Sequence, residues 1–243
     1  MDGQLIMTRK LVVITGASSG IGLAIAKGFA REGNPMLLIA RHIEPVAELG
    51  GAEILYKAAD VADYASVETA IRAAEQRWGE TECLVNSAGF ADARGFLDVA
   101  SADFAREIEV DLIGTLNGMK AVIAGMSGRK SGTIINISSV SDRKTSPVAI
   151  AYTASKYGVR AATESLREAE GRNGVRVINI APGYVKTNIH ATMGISFEQY
   201  CTLLGNPDFM SAEELADIVL FCWKLPQSIT IRDLVVAPTR TGF

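Results

Sequence analysis

A regular alternation of short apolar runs with segments of helical periodicity determines how this chain can fold. The apolar runs occupy residues 11–14, 36–40, 83–85, 134–137, 175–180 and 234–236. Apolar residues recur at helical spacing between them, for instance over 21–29, 66–78 and 152–169. Strands that are apolar at every position are buried on both faces, as in a parallel sheet covered by helices. The pattern predicts an α/β fold with a doubly wound, Rossmann-type sheet.

The composition is that of a folded globular protein. Of the 243 residues, 48% are hydrophobic and 21% are charged, which excludes disordered and collagen-like classes. No Pro/Ser-rich linker, internal repeat or low-complexity tract divides the chain. We therefore expect residues 1–9 to be an N-terminal extension and residues 10–243 to form a single domain.

Charge and cysteine content exclude several functions. The 24 basic and 27 acidic residues give a net charge of −3, so the chain lacks the positive field of a nucleic-acid-binding protein. Cys83, Cys201 and Cys222 are far apart, and with only His42 and His190 they predict neither a disulfide framework nor a metal site. Neither a secretory signal nor a membrane-spanning run is visible. A cytoplasmic protein with no membrane partner is expected.

A glycine-rich turn follows the first apolar run and opens the first helix. It reads T-G-A-S-S-G-I-G over residues 15–22. Glycines let the backbone approach a pyrophosphate, and the free N–H groups of the helix's first turn form an anion site. Such a motif alone is weak evidence, but its position between strand and helix is the one that dinucleotide binding demands. The cofactor-binding candidates here are Gly16, Ser18, Ser19, Gly20, Ile21 and Gly22.

Two further segments complete the pattern. N-S-A-G occupies 86–89 at the end of a strand, Y-T-A-S-K occupies 152–156 at the start of a helix, and Ser139 lies thirteen residues before Tyr152. With the glycine turn, these segments make the chain resemble the short-chain dehydrogenase/reductase family over essentially its whole length. The combination is highly specific, although Ser87 departs from the family's N-N-A-G.

The resemblance implies roles for individual residues. It implies catalytic roles for Ser139, Tyr152 and Lys156. It also implies that Tyr152 and Lys156 contact the cofactor. Asp60 and Val61 would lie beside the adenine. The other cofactor contacts that it implies are Asn86, Ala88 and Gly89, and, beside the nicotinamide, Pro182, Gly183, Val185 and Thr187.

The Tyr152/Lys156 pair has a chemical logic of its own. Four residues apart on a helix, the two side chains leave the same face. A nearby ammonium is expected to lower the pKa of the phenol from ~10 by on the order of two units. Tyr152 could then act as general acid or base while Ser139 steadies the substrate oxygen. The alternative is that both residues merely decorate a surface helix.

Asp111 departs from the family pattern, which has asparagine in the N-x-x-G segment matched by residues 111–114. In the family, the main-chain carbonyl of this residue holds a water linked to the lysine, and an aspartate backbone could keep that role. We therefore count Asp111 with the catalytic residues. Its carboxylate could also retune Lys156, or Asp111 could simply cap a bend in the helix.

The end of the second strand predicts the cofactor. It reads L-I-A-R-H over 38–42, without the acidic residue that binds an unmodified ribose. Arg41 could pair bidentately with a 2′-phosphate, so NADP is the expected cofactor. A solvated surface arginine is the alternative, and His42 is interpreted as its exposed neighbour.

Residues 188–210 match the family's variable substrate lid. No Lys or Arg occurs from Thr187 through Trp223, which favours a neutral or apolar substrate. Arg143 and Lys144 are the nearest candidates for an anion contact. By contrast, residues 233–239 resemble the branch acting on hydroxy acids and hydroxy amino acids, so the substrate stays open. The apolar and aromatic side chains of the lid are Ile189, Met193, Ile195, Phe197, Tyr200, Leu203, Leu204, Phe209 and Met210.

The expected function is an NADP-dependent alcohol dehydrogenase or carbonyl reductase acting on a small molecule. A non-catalytic NADP-binding sensor or scaffold is the alternative from another class, suggested only by Asp111 and Ser87. A homo-oligomer is expected, with a tetramer ahead of a dimer, because the helix from Tyr152 carries small residues that allow another helix to approach closely. The alternative is that these residues pack against the subunit's own sheet. They are Ala154, Gly158, Ala161, Ala162 and Ser165.

Overall fold

The computed structural model describes residues 10–241. Seven parallel strands form one sheet in the order β3-β2-β1-β4-β5-β6-β7. The strands are β1 (Leu11–Thr15), β2 (Met36–Ala40), β3 (Ile54–Ala58), β4 (Thr81–Asn86), β5 (Gly132–Ile137), β6 (Val175–Pro182) and β7 (Asp233–Val236). The predicted doubly wound α/β fold is confirmed. The expected extension 1–9 lies outside the described residues.

Helices connect the strands and cover both faces of the sheet. They are α1 (Gly20–Arg31), α2 (Tyr64–Trp78), α3 (Ser101–Ile108), α4 (Gly114–Gly128), α5 (Ile150–Glu170), α6 (Ile189–Thr192), α7 (Phe197–Leu203) and α8 (Ala212–Lys224). The sequence pattern had placed α1, α2 and α5 within two residues of these bounds. A π-helical segment, Glu109–Ile113, joins α3 to α4.

Two hydrophobic cores lie on opposite faces of the sheet. On one face, α1 and α8 pack through residues such as Phe29 and Leu215. On the other, α2 and α4 contribute Ile71 and Met126. Because the inner strands need apolar side chains on both faces, β1 and β2 are buried and apolar at almost every position. The edge strand β3 is only half-buried, and the sequence pattern did not predict it.

The order in which strands are added to the sheet reverses at β1, which pairs with β2 on one side and with β4 on the other. In doubly wound sheets, ligands bind outside the carboxyl ends of the strands at such a switch point. The glycine turn follows β1 there, and the N-S-A-G segment begins at the end of β4.

Within residues 10–241, no helix is long and apolar enough to cross a membrane. No group of three or more His, Cys, Asp or Glu side chains in the same range is arranged to hold a metal ion. Cys83 and Cys222 are buried free thiols, and Cys201 is partly exposed.

Candidate active site

The glycine turn is held close to the end of β4. Gly16 has φ of +66°, and a Cβ atom there would lie 2.7 Å from the backbone of Ala88. The Thr15 hydroxyl oxygen accepts hydrogen bonds from the N–H groups of Ser87 (3.1 Å) and Ala88 (3.2 Å). A Cβ on Gly22 would overlap the carbonyl of Gly16. The turn therefore needs glycine at these positions, and its backbone is left open to a ligand.

A cavity of about 310 Å³ opens at this edge of the sheet. Most of the predicted cofactor-binding residues line it, together with Tyr152 and Lys156. The predicted residues that line the cavity are Gly16, Ser18, Ser19, Gly20, Ile21, Gly22, Arg41, Asp60, Val61, Ala88, Gly89, Tyr152, Lys156 and Thr187. Residues from widely separated positions in the sequence thus meet in one concave site.

Asn86, Pro182, Gly183 and Val185 are not among the described residues that line the cavity. The amide nitrogen of Asn86 donates to Asn136 Oδ1 at 2.8 Å and so ties β4 to β5. The N–H of Gly183 donates to the carbonyl of Val236, and Val185 is buried. The cofactor contacts expected of these four residues therefore stay predictions.

At one end of the cavity, the exposed Arg41 lies near Asp60. The Asp60 carboxylate is paired with Arg106 and accepts the N–H of Ala62 at 3.0 Å. Although burial opposes ionisation, these contacts hold the pKa of Asp60 below its usual value. Because Asp60 already has its own cation, the guanidinium of Arg41 remains available to an incoming anion.

At the other end of the cavity, Lys156 connects three elements. Its ammonium lies 3.3 Å from Asp111 Oδ2, 3.5 Å from the carbonyl oxygen of Ile137 and 5.2 Å from the ring centre of Tyr152. Lys156 is 5% exposed and Asp111 is fully buried. Burial lowers the pKa of Lys156, but Asp111 and Tyr152 outweigh it and the pKa is raised. Lys156 is therefore a firmly charged ammonium.

Asp111 is positioned by the π-helical segment, a distortion often found at functional sites. Its Oδ1 accepts the N–H of Phe90 at 3.0 Å, and its main-chain carbonyl accepts the Thr115 hydroxyl at 2.8 Å. The carboxylate, and not only the backbone, therefore faces Lys156. Of the interpretations left open by the sequence, the structure favours a carboxylate that acts on the lysine.

The pKa of Tyr152 is raised, not lowered as the Tyr152/Lys156 spacing alone predicted. Burial is the largest cause; Lys156 and a hydrogen bond from Ser139 lower the pKa, whereas Asp111 raises it. The prediction from sequence was wrong because it considered only the Lys156 ammonium. It left out the burial of the phenol and the Asp111 carboxylate, which offsets the positive charge of Lys156. In this structure Tyr152 is a protonated phenol at neutral pH, suited to donate a proton.

Ser139 lies beside Tyr152 in the loop after β5. It is buried, it is not among the described residues that line the cavity, and its hydroxyl also accepts the N–H of Ser141 at 3.1 Å. Two ion pairs stabilise this loop, since Arg143 bonds to Asp142 at 2.6 Å and to Asp233 at 2.9 Å. Arg143 is thus committed to carboxylates of the chain itself, which argues against it as an anion contact for substrate.

Glu107 is a site residue that the sequence interpretation missed. It is 1% exposed, and its Oε1 accepts the N–H of Asp92 at 2.9 Å. Burial raises its pKa to about 7, with Asp111 and Asp92 adding to the shift and Lys156 opposing it. The available signal was its position four residues before Asp111, on the same helical face.

The lid contains a cluster of aromatic rings. Phe209 lies 5.3 Å from Phe197, 5.8 Å from Tyr184 and 6.2 Å from Tyr200, measured between ring centres. Burial raises the pKa of Tyr200 to about 12, and Tyr152 contributes to that shift, so the cluster lies near the phenol. The Lys186 ammonium, one residue before the segment without cations, lies 5.5 Å from the centre of the Phe197 ring.

Known proteins resemble this chain in sequence. Residues 10–195 match the family model described as short chain dehydrogenase. The oxidoreductase UcpA of Salmonella typhimurium is 41% identical over 187 residues, covering 74% of this chain and 71% of UcpA. An uncharacterised oxidoreductase of Staphylococcus epidermidis is 30% identical over 232 residues, covering 94% of this chain and 97% of that protein.

Solved structures resemble it in fold. The closed form of a serine dehydrogenase complexed with NADP+ superposes with a TM-score of 0.87 at 26% identity, covering 96% of each chain. A variant of the actinorhodin polyketide ketoreductase with NADPH superposes with a TM-score of 0.85 at 27% identity, covering 94% of this chain and 96% of that one. Sequence, fold and site geometry agree, and the chain belongs to the short-chain dehydrogenase family.

Proposed function

We propose that this protein is an NADP-dependent oxidoreductase that interconverts a carbonyl compound and an alcohol, with neutral or apolar ketones as preferred substrates. The observation that carries the proposal is the placement of Tyr152, with Lys156 and Asp111 behind it, in the same cavity as the glycine turn. A dinucleotide fits the open backbone of Gly16 to Gly22, where a side chain on Gly16 or Gly22 would collide with neighbouring backbone.

Tyr152, Ser139 and Lys156 have different roles in proton transfer. Tyr152, protonated at neutral pH, donates its phenolic proton to the substrate oxygen in reduction and recovers a proton in oxidation. The Ser139 hydroxyl, hydrogen-bonded to the phenol, stabilises charge on the same oxygen. Lys156 counters negative charge that develops on Tyr152. The nicotinamide, when bound, would donate the hydride in reduction and accept it in oxidation.

The preference for NADP rests on the end of β2. Arg41 lines the cavity there and no carboxylate follows the strand in residues 41–43. A guanidinium can bind a phosphate through two parallel hydrogen bonds, so a 2′-phosphate gains affinity at this position.

The lid supports a neutral substrate, since its aromatic cluster offers apolar contact. A second candidate substrate class is a hydroxy acid or hydroxy amino acid. Lys186 beside Phe197 favours it, as does the likeness to serine dehydrogenase. A carboxylate on the substrate needs such a cation, because an unpaired buried charge is costly.

The exposed face of α5 supports assembly as a homo-oligomer, a tetramer before a dimer. Ala154, Ala161 and Ser165 are exposed there, and Tyr157 is 41% exposed. Two of the predicted small residues instead face inward: a Cβ on Gly158 would meet Leu112, and Ala162 packs on the core.

A direct test measures NADPH and NADH consumption by the purified protein with a panel of ketones, aldehydes and hydroxy acids. Turnover of at least one carbonyl compound, faster with NADPH, is expected. Tight NADPH binding without turnover of any member of the panel would instead support the non-catalytic sensor.

A further inference from the structure

Glu107 and Asp111 form a concentration of buried negative charge that the chemistry described so far does not need. They lie four residues apart, Glu107 on α3 and Asp111 on the π-helical segment, and both are buried, at 1% and 0% exposure. Each accepts a backbone N–H from the same loop after β4: Asp92 donates to Glu107, and Phe90 to Asp111. The loop thus fixes both carboxyl groups in place.

The charges around this pair do not balance if both acids are ionised. Lys156, on α5, is the cation that acts on Glu107 and Asp111 within the described part of the chain. Asp92, on the loop, adds a further negative charge, although it is paired with Arg94. On the pair's own helix, Arg106 is bound to Asp60 and Glu109. Two buried carboxylates facing one ammonium favour retention of a proton.

One atom is consistent with such a proton. Asp111 Oδ2 is buried and, apart from the Lys156 ammonium 3.3 Å away, has no hydrogen-bonding partner among the described residues. A neutral carboxylic acid can donate one hydrogen bond, whereas a carboxylate can only accept. A proton on one of the two acids leaves a single negative charge opposite the Lys156 ammonium.

We propose that Glu107 and Asp111 hold one proton between them at neutral pH, and that its release to solvent adds a negative charge which Lys156 and Tyr152 experience. Glu107 is thus a positioning residue that acts on Tyr152 through Asp111 and Lys156. The role of the pair in turnover rests on the proposed function, whereas the existence of the shared proton does not.

The effect on the reaction has a definite sign. Glu107 has a pKa of about 7, so the pair becomes more negative as the pH rises through neutrality. Both Asp111 and Glu107 raise the pKa of Tyr152. Loss of the shared proton therefore keeps the phenol protonated to higher pH, which favours reduction over oxidation in alkaline conditions.

The first experiment detects the proton without any turnover. Infrared difference spectra of the purified protein are recorded from about pH 5 to about pH 9, a range that brackets the shifted carboxyl. We expect a protonated-carboxyl band that disappears near neutral pH. The band should be absent from Glu107→Gln and retained in Glu109→Gln, a matched control on the same helix whose side chain is 54% exposed.

One result separates a shared proton from an isolated buried acid. In Asp111→Asn the midpoint of the band should fall, because Asp111 raises the pKa of Glu107. Wild-type stability should also decline as the pH rises from 4.5, the ordinary pKa, to about 7, because the unfolded chain releases this proton first. Glu107→Gln should lack that decline.

If turnover is found, the pH profile of alcohol oxidation in Glu107→Gln should move about one pH unit to lower pH, the order expected for removing one partly screened buried charge. Persistence of the infrared band in Glu107→Gln, or an ionised Glu107 at every pH, would overturn the shared proton. A normal band with no turnover would refute the proposed function alone.

Discussion

The cofactor side of the cavity and the lid are built on different principles. On the cofactor side, backbone contacts fix the site: Thr15 bonds to the N–H groups of Ser87 and Ala88, and Gly16 sits against Ala88. The lid relies on rings 5.3–6.2 Å apart, with the bond from Thr192 Oγ1 to the carbonyl of Ala91 (3.1 Å) joining it to the loop after β4. Backbone geometry thus positions the cofactor side of the site, whereas side chains that can be exchanged determine the substrate preference of the lid.

The largest effect should come from the cofactor side. Tyr152→Phe removes the proton donor and should lower kcat by ~10²–10⁴-fold, the usual contribution of a general acid. NADPH affinity, measured by fluorescence titration, should stay within a few-fold of wild type. Tyr157→Phe, on the same helix but 41% exposed, serves as the control. Near-normal turnover by Tyr152→Phe would refute the assigned role.

Arg41→Ala should have the next largest effect. Loss of a charge-assisted phosphate contact costs about 1.5–3 kcal/mol, so NADPH affinity should fall by roughly 10–150-fold. NADH affinity should hardly change, since NADH lacks the 2′-phosphate. Arg31→Ala, an exposed arginine on α1, should alter neither. A wild-type protein that already prefers NADH would show that Arg41 does not select the cofactor.

The lid predicts a preference of similar or smaller size among substrates. Burying one apolar group against Phe197 or Tyr200 contributes on the order of 1.5–3 kcal/mol. Neutral ketones or alcohols with an aromatic group should therefore exceed small hydroxy acids such as serine in kcat/KM. A tenfold advantage for the acids would refute this, and Lys186→Met should then abolish it, because Lys186 is the cation beside the lid and Arg143 is already paired.

The smallest effect on rate is expected for Asp111→Asn. The amide keeps an oxygen for the N–H of Phe90 but removes the charge that raises the pKa of Tyr152. Activity at neutral pH should survive, and the pH profile of oxidation should move to lower pH. A collapse of activity would mean that the carboxylate itself transfers the proton.

The sequence predicted what depends on local pattern. Apolar runs indicated the buried strands, and spacing brought Tyr152 and Lys156 to one helix face. It could not predict properties set by partners distant in the chain. The pKa of Tyr152 depends on Asp111, Arg143 is engaged by Asp233, and Asn86 bonds to Asn136. Glu107 was overlooked because a lone acid on an amphipathic helix ordinarily faces solvent.

Whether the cavity performs hydride transfer is tested most directly by isotope transfer. The wild-type protein is incubated with a neutral aromatic ketone and NADPH deuterated at the transferable position, and the alcohol is examined by mass spectrometry. Deuterium should appear on the carbinol carbon, and its rate of transfer should fall ~10²–10⁴-fold in Tyr152→Phe, the range for loss of a general acid. Tight NADPH binding with no label transferred to any ketone or aldehyde tried would contradict the claim that the cavity performs hydride transfer.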